Sequence, residues 1–390
     1  MNSRSRVLAA LKHEPHDRIP VDLGGTVVTG ICPQVHDALR RELGLRITPS
    51  KVIEPVTIVA EVEAPLRKAL EIDTITLCLE GGSLHGWQPW KMSDGTEVQL
   101  SSDLDVKERG DGGWNLIRAG KTIGTMPPGG LYFDELEYVK WRDYDPGALT
   151  DEVLKDIEIR ARFCKEETDL AVVLNTPFSI FNGTNPEFLC ALMIDDEKQE
   201  AHDRMNTWVD HTIEGLRLLL DAVSDNVSVM VFSGDAGTQR APIISPDLYR
   251  EMILPHFRRV PEFVHKNSDI HFFLHTCGSV YRLMEPFIEE GVDILNPLQV
   301  SAAEMEAERI VSEFGGRIAF WGGGIDAQHT LVEGTEEQVR AKVRNQLSQY
   351  ASIPGYVFAF DHNLQADVPA GNILAAIDEV RRFTLKEVEN

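Results

Sequence analysis

A histidine and a cysteine stand two residues apart in His275-Thr276-Cys277, directly after the apolar run Ile270–Leu274. Residues two apart in an extended segment point the same way, so the imidazole and the thiolate can reach one Zn²⁺, which accepts nitrogen and sulfur ligands. His362 follows another apolar run and can supply a third ligand, which leaves one coordination position open, as catalytic zinc requires. The same spacing also fits a buried histidine beside a small apolar cysteine, so both interpretations stay open.

The segments around these residues alternate between short apolar runs and longer helical patterns, which predicts parallel strands with crossover helices. Eight apolar runs are candidate strands, the number that closes a (β/α)8 barrel. They are Ile19–Leu23, Thr74–Leu79, Leu170–Leu174, Val227–Phe232, Ile270–Leu274, Asp293–Leu295, Ile318–Trp321 and Tyr356–Phe360. We therefore predict an α/β fold in which residues 1–390 form a single TIM barrel domain.

One stretch interrupts the alternation after the second candidate strand. Residues 82–133 contain Asp94-Gly95 and Asp111-Gly112 between short alternating segments. Asp-Gly pairs favour tight hairpin turns. We predict an inserted antiparallel β meander beside the mouth of the barrel.

Catalytic groups of such barrels lie at the carboxyl ends of the strands, so polar residues that follow the apolar runs are candidates. Asp235 can orient a substrate or act as an acid or base, or it can cap its loop. Asp361 can orient His362 from behind, or it can serve as a turn carboxylate. Gln239 and Asn296 can position polar substrate atoms, although Asn296 before Pro297 is also an ordinary strand end.

Two glycine-containing turns also follow candidate strands. Gly25 and Thr26 are candidate substrate contacts in the wall of the site, with structural packing as the other interpretation. Gly322, Gly323 and Gly324 can let a bulky cofactor approach the backbone, or they can permit a tight turn. No Lys-Ser/Thr follows these glycines, so the pattern does not predict a P-loop.

Composition excludes several partners and locations. The 390 residues include 62 acidic and 38 basic side chains, a net charge of −24. Such a surface repels phosphate backbones and anionic lipids, so neither nucleic acid nor a membrane surface is an expected partner. We expect no transmembrane helix and no signal peptide, hence a cytoplasmic protein. Five cysteines do not suggest a disulfide framework.

The motifs around these residues resemble the uroporphyrinogen decarboxylase family, whose fold is a (β/α)8 barrel. The matching stretches are Arg18–Asp22, Phe232–Gln239, Ile244–Pro246, His275–Ser279, Glu290–Pro297, Phe320–Ile325, His362–Pro369 and Asn372-Ile373. The decarboxylases of this family carry an Arg-rich signature that binds substrate carboxylates. Residues 22–31 hold the corresponding position here and contain no arginine. Because Arg is the usual bidentate partner of a carboxylate, this absence argues against a porphyrinogen substrate.

A second branch of the family resembles this chain more closely, namely the corrinoid-linked methyltransferases. Those enzymes hold zinc with a His-x-Cys pair and a later cysteine. His275 and Cys277 match the pair, whereas His362 falls close to the later cysteine's place. Decarboxylases also have a histidine in that loop. The resemblance implies Zn²⁺ as cofactor and a corrinoid protein, carrying methylcobalamin, as partner.

The change from cysteine to His362 has a chemical consequence if all three residues bind zinc. One thiolate and two neutral imidazoles leave the zinc site with about one positive charge. Such a site is a stronger Lewis acid than a neutral site with two thiolates. That charge suits an oxygen leaving group. We therefore predict a zinc-dependent methyltransferase of the O-demethylase type that moves a methyl group between a methoxylated compound and a corrinoid protein.

Two other functions stay open at this stage. In a lyase, Asp235 and His362 act as acid and base on a carboxylated substrate, without metal and with an inert Cys277. In a non-catalytic protein, the barrel only binds a corrinoid or another ligand. The sequence leaves the oligomeric state open, and a homodimer is one candidate.

Overall fold

The computed structural model describes residues 1–79, 82–133, 149–179 and 186–383 of the chain. The helices in chain order are α1 Ser3–Leu11, α2 Pro33–Glu42, α3 Ala64–Ala69, α4 Gly82–His85, α5 Asp151–Glu167, α6 Pro186–Met193, α7 Lys198–Val223, α8 Pro246–Leu248, α9 Leu254–Phe257, α10 Arg259–Asn267, α11 Met284–Glu290, α12 Ala307–Phe314, α13 Thr330–Glu333, α14 Glu336–Tyr350 and α15 Ala370–Arg382. The strands are β1 Ser50–Glu54, β2 Val59–Ala60, β3 Thr74–Cys78, β4 Trp87–Lys91, β5 Glu97–Ser101, β6 Leu104–Glu108, β7 Trp114–Arg118, β8 Lys121–Met126, β9 Ala171–Ser179, β10 Val229–Ser233, β11 His271–His275, β12 Ile294–Asn296, β13 Ala319–Trp321 and β14 Tyr356–Val357.

Seven of these strands form one parallel sheet, in the order β3-β9-β10-β11-β12-β13-β14. Each strand pairs in parallel with the next one along the chain. Helices connect the strands, as parallel pairing demands. The sheet curls, and the predicted α/β TIM-barrel class is confirmed.

The first predicted strand, Ile19–Leu23, is not a regular strand. Val21 makes a single parallel bridge to Phe358, and the backbone N–H of Asp73 donates to the carbonyl of Val21 at 2.8 Å. Pro20 has no N–H to donate, and the N–H of Val21 bonds the side chain of Asp73 instead of a strand backbone. The segment still lies between β14 and β3, where it closes the sheet.

Side chains of the barrel strands alternate between two apolar layers. Val229 and Val231 of β10 point into the barrel, whereas Met230 and Phe232 pack outward against the helices. Helix α1 contributes to the inner layer and is tied by Arg6 to Asp73, just before β3. Helix α1 thus closes the amino-terminal end of the barrel, and the polar residues that follow the strands lie at the other end.

The predicted insertion is antiparallel, but it divides between two sheets. Strands β4 and β5 join β1 and β2 in a four-stranded sheet, and β6, β7 and β8 form a three-stranded one. The predicted Asp-Gly turns are present, with φ of +90° at Gly95 and +84° at Gly112. Residues 50–60 and 87–126 are called the cap below. Trp90 and Trp114 pack on the cap's own apolar cluster.

Apolar residues recur at helical spacing over Glu197–Ala222, which predicts a long helix, and α7 corresponds closely to it. Ser245 caps α8 by accepting a hydrogen bond from the N–H of Leu248, as the Ser-Pro-Asp pattern predicts. No helix in the described ranges combines the length and the apolar character needed to cross a bilayer.

Candidate metal centre

His275 is the last residue of β11, and its ring is buried. Its Nδ1 lies 2.7 Å from Oδ1 of Asn296, the last residue of the neighbouring strand β12. The amide nitrogen of Asn296 donates to the carbonyl of Trp321, the last residue of β13. Because Oδ1 of Asn296 can only accept, Nδ1 of His275 carries the proton, and Nε2 keeps a free lone pair.

Cys277 follows two residues later, and its Sγ lies 3.5 Å from Nε2 of His275. Its backbone N–H donates to Oδ1 of Asp235 at 2.9 Å, so Asp235 holds the turn that presents the thiol. Burial and the neighbouring Asp235 raise the pKa of the Cys277 thiol to about 12. Without a cation beside it, this thiol therefore keeps its proton at neutral pH.

His362 approaches from the loop after β14, and its ring meets that of His275 edge-on, with centroids 5.8 Å apart. Its Nδ1 lies 2.9 Å from Oδ1 of Asn363. Nε2 is therefore the ring nitrogen left to face the other two side chains. Burial and the nearby His362 lower the pKa of His275 to about 4, so His275 is neutral at physiological pH.

The donor atoms of His275, Cys277 and His362 all lie within 4.8 Å of one another. Tetrahedral zinc with Zn–N bonds of about 2.1 Å and a Zn–S bond of about 2.3 Å holds its ligand atoms about 3.4–3.6 Å apart. The distance of 3.5 Å between Sγ of Cys277 and Nε2 of His275 matches this value, and the whole cluster, within 4.8 Å, would contract by about 1 Å around the ion. Two imidazoles and one thiol form a donor set that zinc accepts, so the residues fit the ion.

The matched family model is that of uroporphyrinogen decarboxylase (URO-D), and it covers residues 132–383. The chain belongs to the URO-D family. Among curated relatives, the uroporphyrinogen decarboxylase of Pseudoalteromonas atlantica is 21% identical over 221 residues, 53% of this chain and 59% of that protein. The uroporphyrinogen decarboxylase of Thioalkalivibrio sulfidiphilus is 24% identical over 273 residues, 66% of this chain and 75% of that protein. The chain thus spans less than two thirds of the first relative's length.

A solved structure, a methyltransferase from Methanosarcina mazei, superposes on 98% of this chain and 99% of its own, with a TM-score of 0.56. Sequence identity is 14%, so this likeness establishes the fold alone. The URO-D family model includes all three candidate ligands but not the cap, which precedes residue 132.

Asp361 does not orient His362 in this URO-D family chain, contrary to one sequence interpretation. Both its carboxyl oxygens are buried and lack a hydrogen-bond partner of ordinary geometry among the described residues. Burial and the nearby Asp326 raise its pKa well above the usual value, and the N–H of Gly323 offsets this only in part. The side chain that holds His362 is Asn363, the next residue along the chain.

Asn296 and Gln239 differ in how far their side-chain amides are already engaged. Both amide atoms of Asn296 are occupied, one by His275 and one by Trp321, so it positions the ring of His275 in this structure. Gln239 is exposed, and its Oε1 lies 3.4 Å from Nε2 of Gln299. Gln299 in turn accepts from the N–H of Gly278, directly after Cys277. Gln239 therefore lies two contacts away from the cluster.

Gly25 and Thr26 belong to a closed polar network around Asp22. The N–H of Gly25 and the hydroxyl of Thr74 donate to one oxygen of Asp22, and the hydroxyl of Thr29 donates to the other. Thr26 is fully buried, and its hydroxyl bonds that of Thr29. In this structure both residues therefore take part in packing and not in an open substrate-binding surface.

Gly322, Gly323 and Gly324 are all buried, which corrects the interpretation that they admit a cofactor. A Cβ on Gly323 would lie 2.6 Å from the carbonyl of Leu298, and one on Gly324 would lie 2.2 Å from the ring of Phe358. Gly323 also has φ of +71°, which favours glycine. The glycines let the chain pack against the barrel and leave no room for a ligand there.

Sequence analysis did not identify Asn363, Gln299 or Thr57 as part of the site. Nδ2 of Asn363 donates to the hydroxyl of Thr57, which lies in the cap between β1 and β2. The one available signal was the position of Asn363 directly after a candidate ligand. The contact with Thr57 joins residues 306 positions apart, and no local pattern predicts it.

Proposed function

We propose that this chain is a zinc-dependent methyltransferase that moves a methyl group between a small methoxylated compound and a corrinoid protein. The observation that carries the proposal is the convergence of two imidazoles and one thiol at a single point. Membership of the URO-D family supports an enzymatic barrel. The name of the Methanosarcina structure, a methyltransferase, agrees with the reaction class.

The proposed ligands are His275, Cys277 and His362. When bound, Zn²⁺ supplies a Lewis acid that polarises the heteroatom bearing the methyl group. The imidazole of His275 stays neutral because burial lowers its pKa to about 4, so a single thiolate would offset the charge of the ion. A site that retains positive charge favours departure of an alkoxide or phenoxide over that of a thiolate, which supports a methyl ether as substrate.

Asp235 has the proposed role of orienting the substrate, in addition to holding the Cys277 turn. One of its oxygens accepts from the N–H of Cys277 at 2.9 Å, which places it beside the cluster. The corrinoid protein is proposed to approach the open end of the barrel. A homodimer, a cytoplasmic location and the absence of nucleic-acid partners remain proposals from the sequence.

A decarboxylase or lyase is the second candidate, and the names of the curated relatives favour it. In that reaction Asp235 and His362 act as acid and base on a carboxylated substrate, and Cys277 has no role. Against it stands the segment 22–31, which contains no arginine and is arranged around the buried Asp22. The guanidinium groups that usually bind carboxylates are therefore missing from this segment.

The deciding experiment measures metal per chain in the purified protein and in the variant His362→Ala, with His211→Ala, at an exposed histidine of α7, as control. We expect about one zinc per chain in the wild type and in the control, and little in His362→Ala. Methylation of a Co(I) corrinoid is then assayed with methyl ethers, methylamines and methylthiols. Activity with methyl ethers supports the proposal. Activity confined to thiols, or decarboxylation by a metal-free protein, would contradict it.

A further inference from the structure

Each candidate histidine ligand is held at Nδ1 by an asparagine carboxamide, although the two histidines come from different parts of the fold. Asn296 holds His275 at 2.7 Å, and Asn363 holds His362 at 2.9 Å. A carboxamide offers either an acceptor oxygen or a donor nitrogen to the ring. The orientation of each amide therefore decides which ring nitrogen carries the proton.

The orientation of Asn296 follows from a partner that can only accept. Its nitrogen donates to the carbonyl of Trp321 at 2.7 Å. A carbonyl has no hydrogen to give, so the amide cannot rotate by 180° without placing two acceptors against each other. This fixed amide belongs to the strand framework, because Asn296 and Trp321 end neighbouring strands.

The orientation of Asn363 depends on two contacts. Its oxygen accepts from Nε2 of the nearby Gln365 at 3.2 Å, and its nitrogen begins a longer chain that ends in the cap. Its nitrogen donates to the hydroxyl of Thr57 at 3.2 Å, and that hydroxyl donates to Oε2 of Glu54 at 2.6 Å. Glu54 also accepts from the N–H groups of Val56 and Thr57, as a carboxylate does. The hydroxyl hydrogen of Thr57 is thus committed to Glu54, and only its oxygen is left for Asn363.

We infer that Asn363 is a positioning residue for the metal ligand His362, and that the cap sets its orientation through Thr57 and Glu54. The inference rests on the proposed zinc site. It gives the cap a role at the site, because the orientation of Asn363, and with it the tautomer of the third candidate ligand, depends in part on a cap residue. The His275 side of the site needs no such help, since its amide is held by the barrel.

The experiment compares Asn363→Leu, Asn363→Asp and Thr57→Val, with Thr122→Val on an exposed cap strand as the matched control. Zinc affinity is measured by competition with a chromophoric chelator. Loss of a side chain that orients a histidine ligand typically costs about 10–100-fold in metal affinity, which is the expected effect of Asn363→Leu. Asn363→Asp keeps an acceptor oxygen and should stay within a few-fold of the wild type. Thr57→Val should fall between them, and Thr122→Val should not differ from the wild type.

A second readout needs no metal. Spectra of ¹⁵N-histidine in the metal-free protein report which ring nitrogen carries the proton, and we expect Nδ1–H at His362 in the wild type and a mixture in Asn363→Leu and Thr57→Val. The inference is overturned if His362 carries Nε2–H in the wild type, or if Asn363→Leu and Thr57→Val bind zinc as the wild type does. Failure of the wild type to bind zinc at all contradicts the proposed function, while the tautomer of His362 still tests the link to the cap. If Asn363→Leu does not fold, Thr57→Val decides the outcome.

Discussion

Two buried polar groups lie at the same end of the barrel and differ in how completely their atoms are paired. The carboxylate of Asp22 accepts four hydrogen bonds, from the N–H of Gly25, the hydroxyls of Thr29 and Thr74, and the indole of Trp321. In the cluster of His275, Cys277 and His362, three ligand atoms converge within 4.8 Å of one another, and Sγ of Cys277 lies 3.5 Å from Nε2 of His275. Trp321 serves both groups, since its carbonyl holds Asn296 and its indole holds Asp22.

This difference distinguishes buried polar groups that stabilise the fold from those that are proposed to bind a metal ion. Buried polar atoms that have all their partners stabilise one arrangement of the chain, and those without partners carry a cost in folding free energy. The three ligand atoms of the cluster have only long contacts with one another, and a metal ion is the partner that fits their chemistry. The comparison predicts that substitutions in the cluster lower zinc affinity, whereas substitution of Asp22 lowers the free energy of unfolding.

The largest effect is expected for Cys277→Ser. A hydroxyl is a poor zinc ligand compared with a thiolate, so we expect zinc affinity and methyl transfer to fall by at least about 100-fold, beyond the range typical of residues behind the ligands. The free energy of unfolding of the metal-free protein should change by less than about 1 kcal/mol. Chelator competition and urea denaturation measure the two quantities.

The control for this variant is Cys190→Ser, at an exposed cysteine of α6. Zinc binding and activity should be unchanged in the control. A Cys277→Ser protein with full activity and no zinc would favour the lyase, because that reaction does not use Cys277.

The second effect concerns stability. In Asp22→Asn, one acceptor oxygen becomes a donor nitrogen that faces the existing donors, and a buried donor without a partner costs about 1–3 kcal/mol. Two or more donors are affected, so we expect the free energy of unfolding to fall by about 3 kcal/mol. Zinc bound per folded chain should stay close to the wild-type value.

Asp225→Asn, at an exposed aspartate after α7, is the matched control and should unfold like the wild type. If Asp22→Asn instead retained its stability and lost activity, Asp22 would belong to the catalytic group, and the contrast drawn between the two networks would be wrong.

The sequence predicted most of the strands and pointed to the candidate ligands because both follow local rules. Apolar runs marked seven of the parallel strands, and the rule that catalytic groups follow strands pointed to His275, Cys277 and His362. The first strand was misjudged because Pro20 and the side chain of Asp73 replace backbone pairing there. Such a replacement depends on residues about 50 positions apart.

The partners behind the ligands could not be predicted in the same way. Whether Asp361 or Asn363 supports His362 depends on where the backbone turns, and the sequence pattern pointed to Asp361 alone. Gly322–Gly324 suggested an open loop, but the ring of Phe358 and the hydroxyl of Tyr350 occupy the space beside them. The packing of distant elements determines both the support of His362 and the space beside the glycines. Such packing leaves no periodic signal in the sequence.

The last prediction tests whether every incompletely paired carboxyl marks a site. Glu290 is buried at the end of α11, where one oxygen accepts from the hydroxyl of Tyr249 at 2.6 Å and the other has no partner among the described residues. Burial raises its pKa to about 8, although the hydrogen bond from Tyr249 opposes this. No second unpaired ligand atom accompanies it in the described chain, so we expect a role in stability alone.

The sign of the pH dependence follows from proton binding. Between the ordinary pKa of a glutamate, about 4.3, and the raised value, the folded protein holds a proton that the unfolded chain has released. Stability is therefore greatest below that window and falls as pH rises through it, by about 1.4 kcal/mol for each pH unit. In Glu290→Gln this contribution disappears. The free energy of unfolding of the variant, relative to that of the wild type, should therefore increase from pH 5 to 8.

Urea denaturation at several pH values measures this difference, with Glu289→Gln, at the exposed neighbour that pairs with Arg250, as control. Zinc affinity should be unaffected in both variants, because neither residue is near the cluster's ligands or their asparagines. Parallel pH profiles for Glu290→Gln and the wild type would show that the buried carboxyl does not hold its proton. A loss of zinc in Glu290→Gln would show instead that incomplete pairing of a single carboxyl can mark function even without neighbouring ligand atoms.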